Sequence, residues 1–106
     1  MRDKIFYFLT KIPKGKVATY KQIALYLGNG RLARVVGNIL HSNTDSIKYP
    51  CYKVVNSRGC LSKNYAFGGI NEQKRRLNLD GIVVNNFKVD LEKYQWKIWC
   101  FLFGFK

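Results

Sequence analysis

The stretch from Thr19 to His41 carries two helical patterns separated by Gly28-Asn29-Gly30, and few folds accommodate that arrangement. Thr19-Tyr20-Lys21-Gln22 matches a capping box, in which hydroxyl and amide satisfy each other's free backbone donors, and predicts a short helix running to about Leu27. In the second pattern Leu32, Val35, Val36, Ile39 and Leu40 make one apolar face. Arg31, Arg34, Asn38 and His41 fall at i, i+3, i+7 and i+10 on the opposite, largely basic face. Two helices joined by a glycine turn, the second with a basic outer face, predict a helix-turn-helix. An ordinary helical hairpin with a solvated charged face is the plainer alternative.

Charge weighs toward the first. Nineteen Lys and Arg against six Asp and Glu give +13 at pH 7, a balance that favours polyanionic partners, nucleic acid ahead of an anionic membrane surface. The 106 residues suffice for one domain. Three cysteines without a C-x-x-C pair and a single histidine argue against a disulfide framework or a zinc site, so neither metal nor cofactor is expected. A reducing cytoplasm fits that usage. Ile5-Phe6-Tyr7-Phe8-Leu9 is too short for a secretory h-region, and Trp99-Cys100-Phe101-Leu102-Phe103 falls far below the roughly 20 residues of a membrane span. A monomer with no membrane partner is expected.

Elsewhere the pattern is mixed. Ile5, Phe8, Leu9 and Ile12 predict an amphipathic first helix ending before Pro13. Val17-Ala18-Thr19 is extended, and Tyr49-Pro50-Cys51-Tyr52-Lys53-Val54-Val55 is predicted to place Cys51 at a proline-stiffened strand entrance. Asn56-Ser57-Arg58-Gly59 is a turn, with a return strand from Cys60 and Leu61. The paired glycines Gly68-Gly69 close a loop and would permit close backbone approach to a ligand. A short helix from Glu72 to Leu79 is closed by Asp80-Gly81, and Ile82-Val83-Val84 with Phe87-Lys88-Val89 flanks Asn85-Asn86 as a wing-like hairpin. The expected class is α+β, mainly helical: a winged-helix-like helix-turn-helix domain over residues 1–96, followed by a C-terminal extension, 97–106.

A thiol such as Cys51 has a pKa near about 8.5 when unperturbed and needs a base or positive field to act as a nucleophile. By itself the stretch around Cys51 reads first as a small buried hydrophobe on a core strand, and only context overturns that.

Ile12-Pro13-Lys14-Gly15-Lys16-Val17, Thr19-Tyr20-Lys21-Gln22-Ile23-Ala24, Ala33-Arg34-Val35-Val36-Gly37-Asn38, Pro50-Cys51 and Gly68-Gly69 together resemble the DNA-binding domain of the O6-alkylguanine-DNA alkyltransferases, over about residues 3 to 96. The resemblance implies one-way transfer of an alkyl group from guanine O6 in duplex DNA to Cys51, after the nucleotide leaves the stack. It makes Arg34 the residue that enters from the minor groove and fills the gap, Tyr20 a donor beside the extruded nucleotide, and Asn43 a brace for the active-site turn. Arg31, Asn38, Lys53 and Gly68 complete the expected DNA contacts.

One departure stands out. The family's Pro-Cys-His-Arg-Val is Pro50-Cys51-Tyr52-Lys53-Val54 here, and Asp80 aligns with the glutamate that orients the family's histidine. A phenol of pKa near about 10 is roughly 0.1% ionised at pH 7 and cannot replace imidazole as a base, although it can donate a hydrogen bond to a thiolate. Lys53 is expected to lower the thiol pKa further. Two other readings stay open: a non-enzymatic alkyltransferase-like damage sensor, and a sequence-reading winged-helix regulator.

Overall fold

The computed structural model describes residues 2–45, 47–62, 65 and 67–97. Helix α1 (Arg2–Lys11) stops short of Pro13, whose ring cannot continue a helix. It buries Ile5, Phe8 and Leu9 completely, and the Phe8 ring meets those of Tyr26 and Trp96 at 5.3 and 5.4 Å. Burying side chains of this size stabilises the fold by roughly 1.5–3 kcal/mol each.

Strand β1 (Ala18–Thr19) leads directly into α2 (Tyr20–Tyr26). The expected capping box is present: Gln22 N donates to Thr19 Oγ1 at 3.1 Å, and Thr19 N donates to Gln22 Oε1 at 2.9 Å. After the glycine turn, the Asn29 side chain accepts from Arg31 N and opens a 3-10 turn, Gly30–Leu32, that runs into α3 (Ala33–Leu40). Val36 and Leu40 are buried, with Leu32 and Ile39 partly so. Val35, expected on the same face, is 38% exposed because it sits at the margin of that arc. Arg31, Arg34, Asn38 and His41 all face outward, as their spacing implied.

Strand β2 (Val54–Val55) pairs in parallel with β1, Ala18 opposite Val54 and Thr19 opposite Val55. Helix α4 (Gly69–Leu79) starts at Gly69, ahead of the predicted Glu72, because Ile70 and Gln73 extend its inward face. It ends in a Schellman motif: Gly81, at φ +85°, donates to Asn78 O, and Ile82 N donates to Leu77 O.

Strands β3 (Val84–Asn85) and β4 (Lys88–Val89) form the predicted hairpin, but its turn lies one residue later than Asn85-Asn86. Asn86 and Phe87 both have positive φ, 52° and 58°, as a primed two-residue turn requires. Phe87 is an unusual side chain for such a position. Leu61 N donates to Phe87 O at 2.9 Å, and the Lys74 ammonium sits over the ring at 5.6 Å. The return strand expected at Cys60-Leu61 is reduced to one bridge, Cys60 to Lys88. Gly59 explains the tight join: a Cβ there would lie 2.3 Å from Val89 O. Asp90 caps the short α5 (Leu91–Tyr94), whose end returns to Val17 through Val17 N to Tyr94 O and Trp96 N to Val17 O, both 2.8 Å.

The core has two parts. One lies among α1, α2, α3 and Cys51; the other joins Val17, Val55, Leu61, Leu77, Ile82 and Val89, and Tyr52 packs against both. The class is therefore α+β with a helix-turn-helix, as predicted. The apolar run from Trp99 to Phe103 lies outside the described residues. Among the described residues no helix is long and apolar enough to cross a membrane, and no cluster of His, Cys, Asp and Glu could hold a metal.

Candidate functional site

Pro50, at φ −75° and ψ 72°, makes an inverse γ-turn in which Cys51 N donates to Tyr49 O at 2.8 Å. The proline thus positions Cys51, but not at a strand entrance: Cys51–Lys53 is a 3-10 turn, and the strand begins at Val54. Three residues per turn send the side chains of Cys51, Tyr52 and Lys53 in three directions. Cys51 is 7% exposed.

Donors surround the thiol. Asn43 Nδ2 donates to Cys51 Sγ at 3.3 Å and to Tyr49 O at 2.9 Å, while its own Oδ1 accepts from Asp45 N. Asn43 therefore braces the turn and the sulfur together. Tyr65 lines the same cavity as the thiol, and its hydroxyl also favours the thiolate. Burial raises the Cys51 pKa, and the Asn43 hydrogen bond, the Tyr65 hydroxyl and the Arg76 charge offset only part of that. The expected lowering by Lys53 is not what the structure shows; among the described residues the charge that favours the thiolate is that of Arg76.

Cys51 opens into a cavity of about 220 Å³ whose walls include Tyr20, Asn38, His41, Ser62, Tyr65 and Gln73. The Tyr20 pKa is raised, mainly by burial, which leaves its hydroxyl a neutral donor. Tyr20 and Gly37 also border a second cavity of about 590 Å³, reached by Lys21 and Arg34 on the outer side of the helix pair. Thus Cys51, Asn43, Tyr20 and Asn38 gather at one place, with Arg34 adjacent. Arg31 is exposed on the turn before α3. Gly68, at φ +122°, opens α4, and a Cβ there would lie 2.8 Å from Glu72 Cβ.

Lys53 departs from expectation. Only 6% exposed, it turns inward; its Nζ donates to Ile12 O and Pro13 O at 3.4 and 3.3 Å and pairs with Asp80 Oδ2 at 3.4 Å. A lysine so enclosed offers no surface to DNA. The same Asp80 oxygen accepts from Gly15 N at 2.8 Å, so Asp80 ties the chain after Pro13 to the active-site turn instead of orienting Tyr52. Tyr52 and Asp80 do line one cavity with Pro50 and Arg76, and the Tyr52 pKa is raised by burial first and by the Asp80 charge second. The phenol that shares the cavity with the sulfur and favours its thiolate is Tyr65, in place of the expected Tyr52.

Two working residues escaped the sequence reading. Tyr65 lay in a stretch treated as a loop, and no periodicity marks it. Gln73, 1% exposed, accepts from Ser62 N at 2.9 Å and donates to Tyr52 O and Val54 O at 3.0 and 3.1 Å, which fastens the Cys51 turn to α4. Its spacing with Ile70 and Leu77, i, i+3 and i+7, was the available signal.

Comparison with known proteins agrees with the helix-turn-helix fold. Residues 1–82 match the family model described as 6-O-methylguanine DNA methyltransferase, DNA binding domain. A bifunctional methyltransferase/endonuclease of Picrophilus torridus is 43% identical over 91 residues, 86% of this chain, although the chain spans only 30% of that protein. A DNA base-flipping protein of Vibrio parahaemolyticus is 38% identical, covering 89% of this chain and 93% of its own. The crystal structure of S. pombe Atl1 bound to damaged DNA containing O6-carboxymethylguanine superposes with a TM-score of 0.83 at 35% identity, covering 91% of this chain and 94% of its own.

Proposed function

Given that the chain belongs to the 6-O-methylguanine DNA methyltransferase family through its DNA-binding domain, a family of O6-alkylguanine repair, we propose that it accepts the alkyl group itself, on Cys51. The observation that carries this reading is the thiol at the cavity wall, hydrogen-bonded by Asn43 and with the Tyr65 phenol on the same wall. An amide N–H and a phenol O–H stabilise the thiolate over the thiol.

In this reading a monomer binds the duplex from the minor groove and an O6-alkylguanine turns out of the stack into the cavity. That costs a few kcal/mol, less for a poorly pairing base. The Cys51 thiolate attacks the alkyl carbon; the S–C bond forms as the C–O6 bond breaks, and the electron pair leaves with the guanine. The Tyr20 hydroxyl donates a hydrogen bond toward the departing base. The thiol's own proton has already gone to solvent, and the guanine takes one back. The product is a thioether, so each molecule acts once.

Because thiolate is the reactive form and burial raises the thiol pKa, the single-turnover rate should climb with pH, about tenfold per unit between about pH 6.5 and 8.5. Quench-flow on a methylated duplex checks this in a His41→Gln background, since His41 also lines the cavity. A flat profile would remove the thiolate from the rate-limiting step.

Arg34, exposed on α3 and bordering the cavity it shares with Tyr20, is the residue proposed to fill the vacated stack. Arg34→Ala should weaken binding to the lesion duplex by about tenfold or more, whereas Arg31→Ala should cost a smaller amount, equal on damaged and intact DNA, as a phosphate contact does. Fluorescence anisotropy at two salt concentrations separates them. Equal losses for both variants on both duplexes would end the stack-filling role.

A second reading, lesion recognition without transfer, is favoured by one observation: among the described residues no imidazole or carboxylate contacts Cys51, and Asp80 is engaged by Lys53 and Gly15. Lesion-selective binding with no gain of mass would identify it.

A further inference from the structure

Helix α4 brings a cation to the thiol by an indirect route. Glu72 and Arg76, one turn apart, are joined by Arg76 Nε donating to Glu72 Oε2 at 2.9 Å, and Arg75 donates to both oxygens of the same carboxylate. The carboxyl is accordingly drawn down to about 2 and stays ionised. With its Nε so fixed, the Arg76 guanidinium lies 5.8 Å from the ring centres of both Tyr65 and Phe67, and its Nη1 donates to the Tyr65 hydroxyl oxygen at 3.1 Å.

That bond has a directional consequence. A guanidinium only donates, so it occupies an acceptor site on the phenol oxygen and leaves the hydroxyl proton free to point elsewhere. Tyr65 and Cys51 line one cavity, so this proton is free to point at the sulfur. Burial and the neighbouring thiol raise the Tyr65 pKa, so the phenol keeps that proton.

We infer that Arg76, held by Glu72, is a positioning residue that turns the Tyr65 hydroxyl toward Cys51 as a donor and polarises it, favouring the thiolate without a general base. In a chain of hydrogen bonds a charged first member strengthens the next. The arrangement compensates for the absent imidazole by stabilising the anion, not by removing the proton.

The inference concerns the reactivity of Cys51 and rests on the reading that this thiol reacts, but its test needs no alkylated DNA. Among the described residues, the titratable or charged groups lining the cavity or acting on the sulfur are Tyr20 from α2, His41 after α3, Tyr65, and Arg76 from α4. The measurement is the pH dependence of iodoacetamide alkylation in the full chain carrying Cys60→Ser, Cys100→Ser and His41→Gln, which leaves one thiol and no imidazole.

Arg76→Leu and Arg76→Gln should move the thiol's midpoint up by about one unit, lowering reactivity at pH 8 about tenfold, and Arg76→Lys should restore most of it. Tyr65→Phe should produce a similar loss, and adding Arg76→Leu to it should cost less than about twofold more. A midpoint unmoved by Arg76→Leu and Arg76→Gln overturns the inference. So does equal loss in Lys and Leu variants, or full additivity with Tyr65→Phe. If instead the midpoints move as expected while alkylated DNA transfers nothing to Cys51, the Arg76 inference stands and the transferase reading falls.

Discussion

Gln73→Leu should lower the stability of the domain by about 3 kcal/mol or more, read as a fall in Tm of about 15 °C by calorimetry. Leucine matches glutamine in bulk, so no cavity forms; what is lost is three hydrogen bonds, to Ser62 N, Tyr52 O and Val54 O. Leaving a buried backbone group unpaired costs roughly 1–3 kcal/mol, against a total stability of about 5–15 kcal/mol for a domain of this kind. Gln73→Glu keeps the acceptor for Ser62 N and loses the donors to the two carbonyls, so it should fall between. The effect should reach the site as well, because the bonds to Tyr52 O and Val54 O fasten the turn that carries Cys51 and the strand that follows it. A leucine variant within about 0.5 kcal/mol of the parent would mean that water satisfies these groups.

Cys51→Ala should abolish alkyl transfer while leaving affinity for an O6-methylguanine duplex within about threefold of the parent. The sulfur contributes one wall of the cavity, whereas affinity in so basic a chain rests on lysine and arginine contacts to phosphate. Removing a side chain as small as cysteine leaves a modest void, and Asn43 keeps its bonds to Tyr49 O and Asp45 N. Binding should also fall steeply with salt in both proteins, since each phosphate contact releases counterions. Retained transfer in the alanine variant would move the acceptor elsewhere. A collapse of binding would make the thiol part of the recognition surface.

The residues that fold the helix pair were legible because their signals are local. Thr19 and Gln22 sit three apart and cap one another whatever surrounds them, and Gly81 ends α4 for reasons of its own backbone. The Cys51 turn was harder. Pro50 announced a fixed geometry, but whether the chain leaves it as strand or as 3-10 turn depends on Asn43 and Gln73, eight residues before Cys51 and 22 after it. Lys53 shows the same limit. A lysine beside a nucleophile in a basic chain suggests DNA or thiolate contact, and only the fold reveals that Ile12 O, Pro13 O and Asp80 draw it inward. Tyr65 carried no sequence signal, because an aromatic residue in an irregular stretch acquires its role from what the fold brings against it.

The substitution of imidazole by Tyr52 therefore does not leave Cys51 without support; the support comes from another direction. Asn43 and Tyr65 supply donors, and Arg76 supplies charge. This combination favours the thiolate without creating a proton acceptor, so transfer should be slow near neutrality and faster in alkali.

The measurement that tests the account most directly is the intact mass of the protein after incubation at pH 8 with a duplex holding one O6-methylguanine, followed by peptide mapping. The account predicts a gain of one methyl group per molecule, located on Cys51, with no further gain at excess substrate. An unchanged mass under conditions where the lesion duplex is bound would contradict it and leave the protein a reader of damage that keeps its cysteine unused.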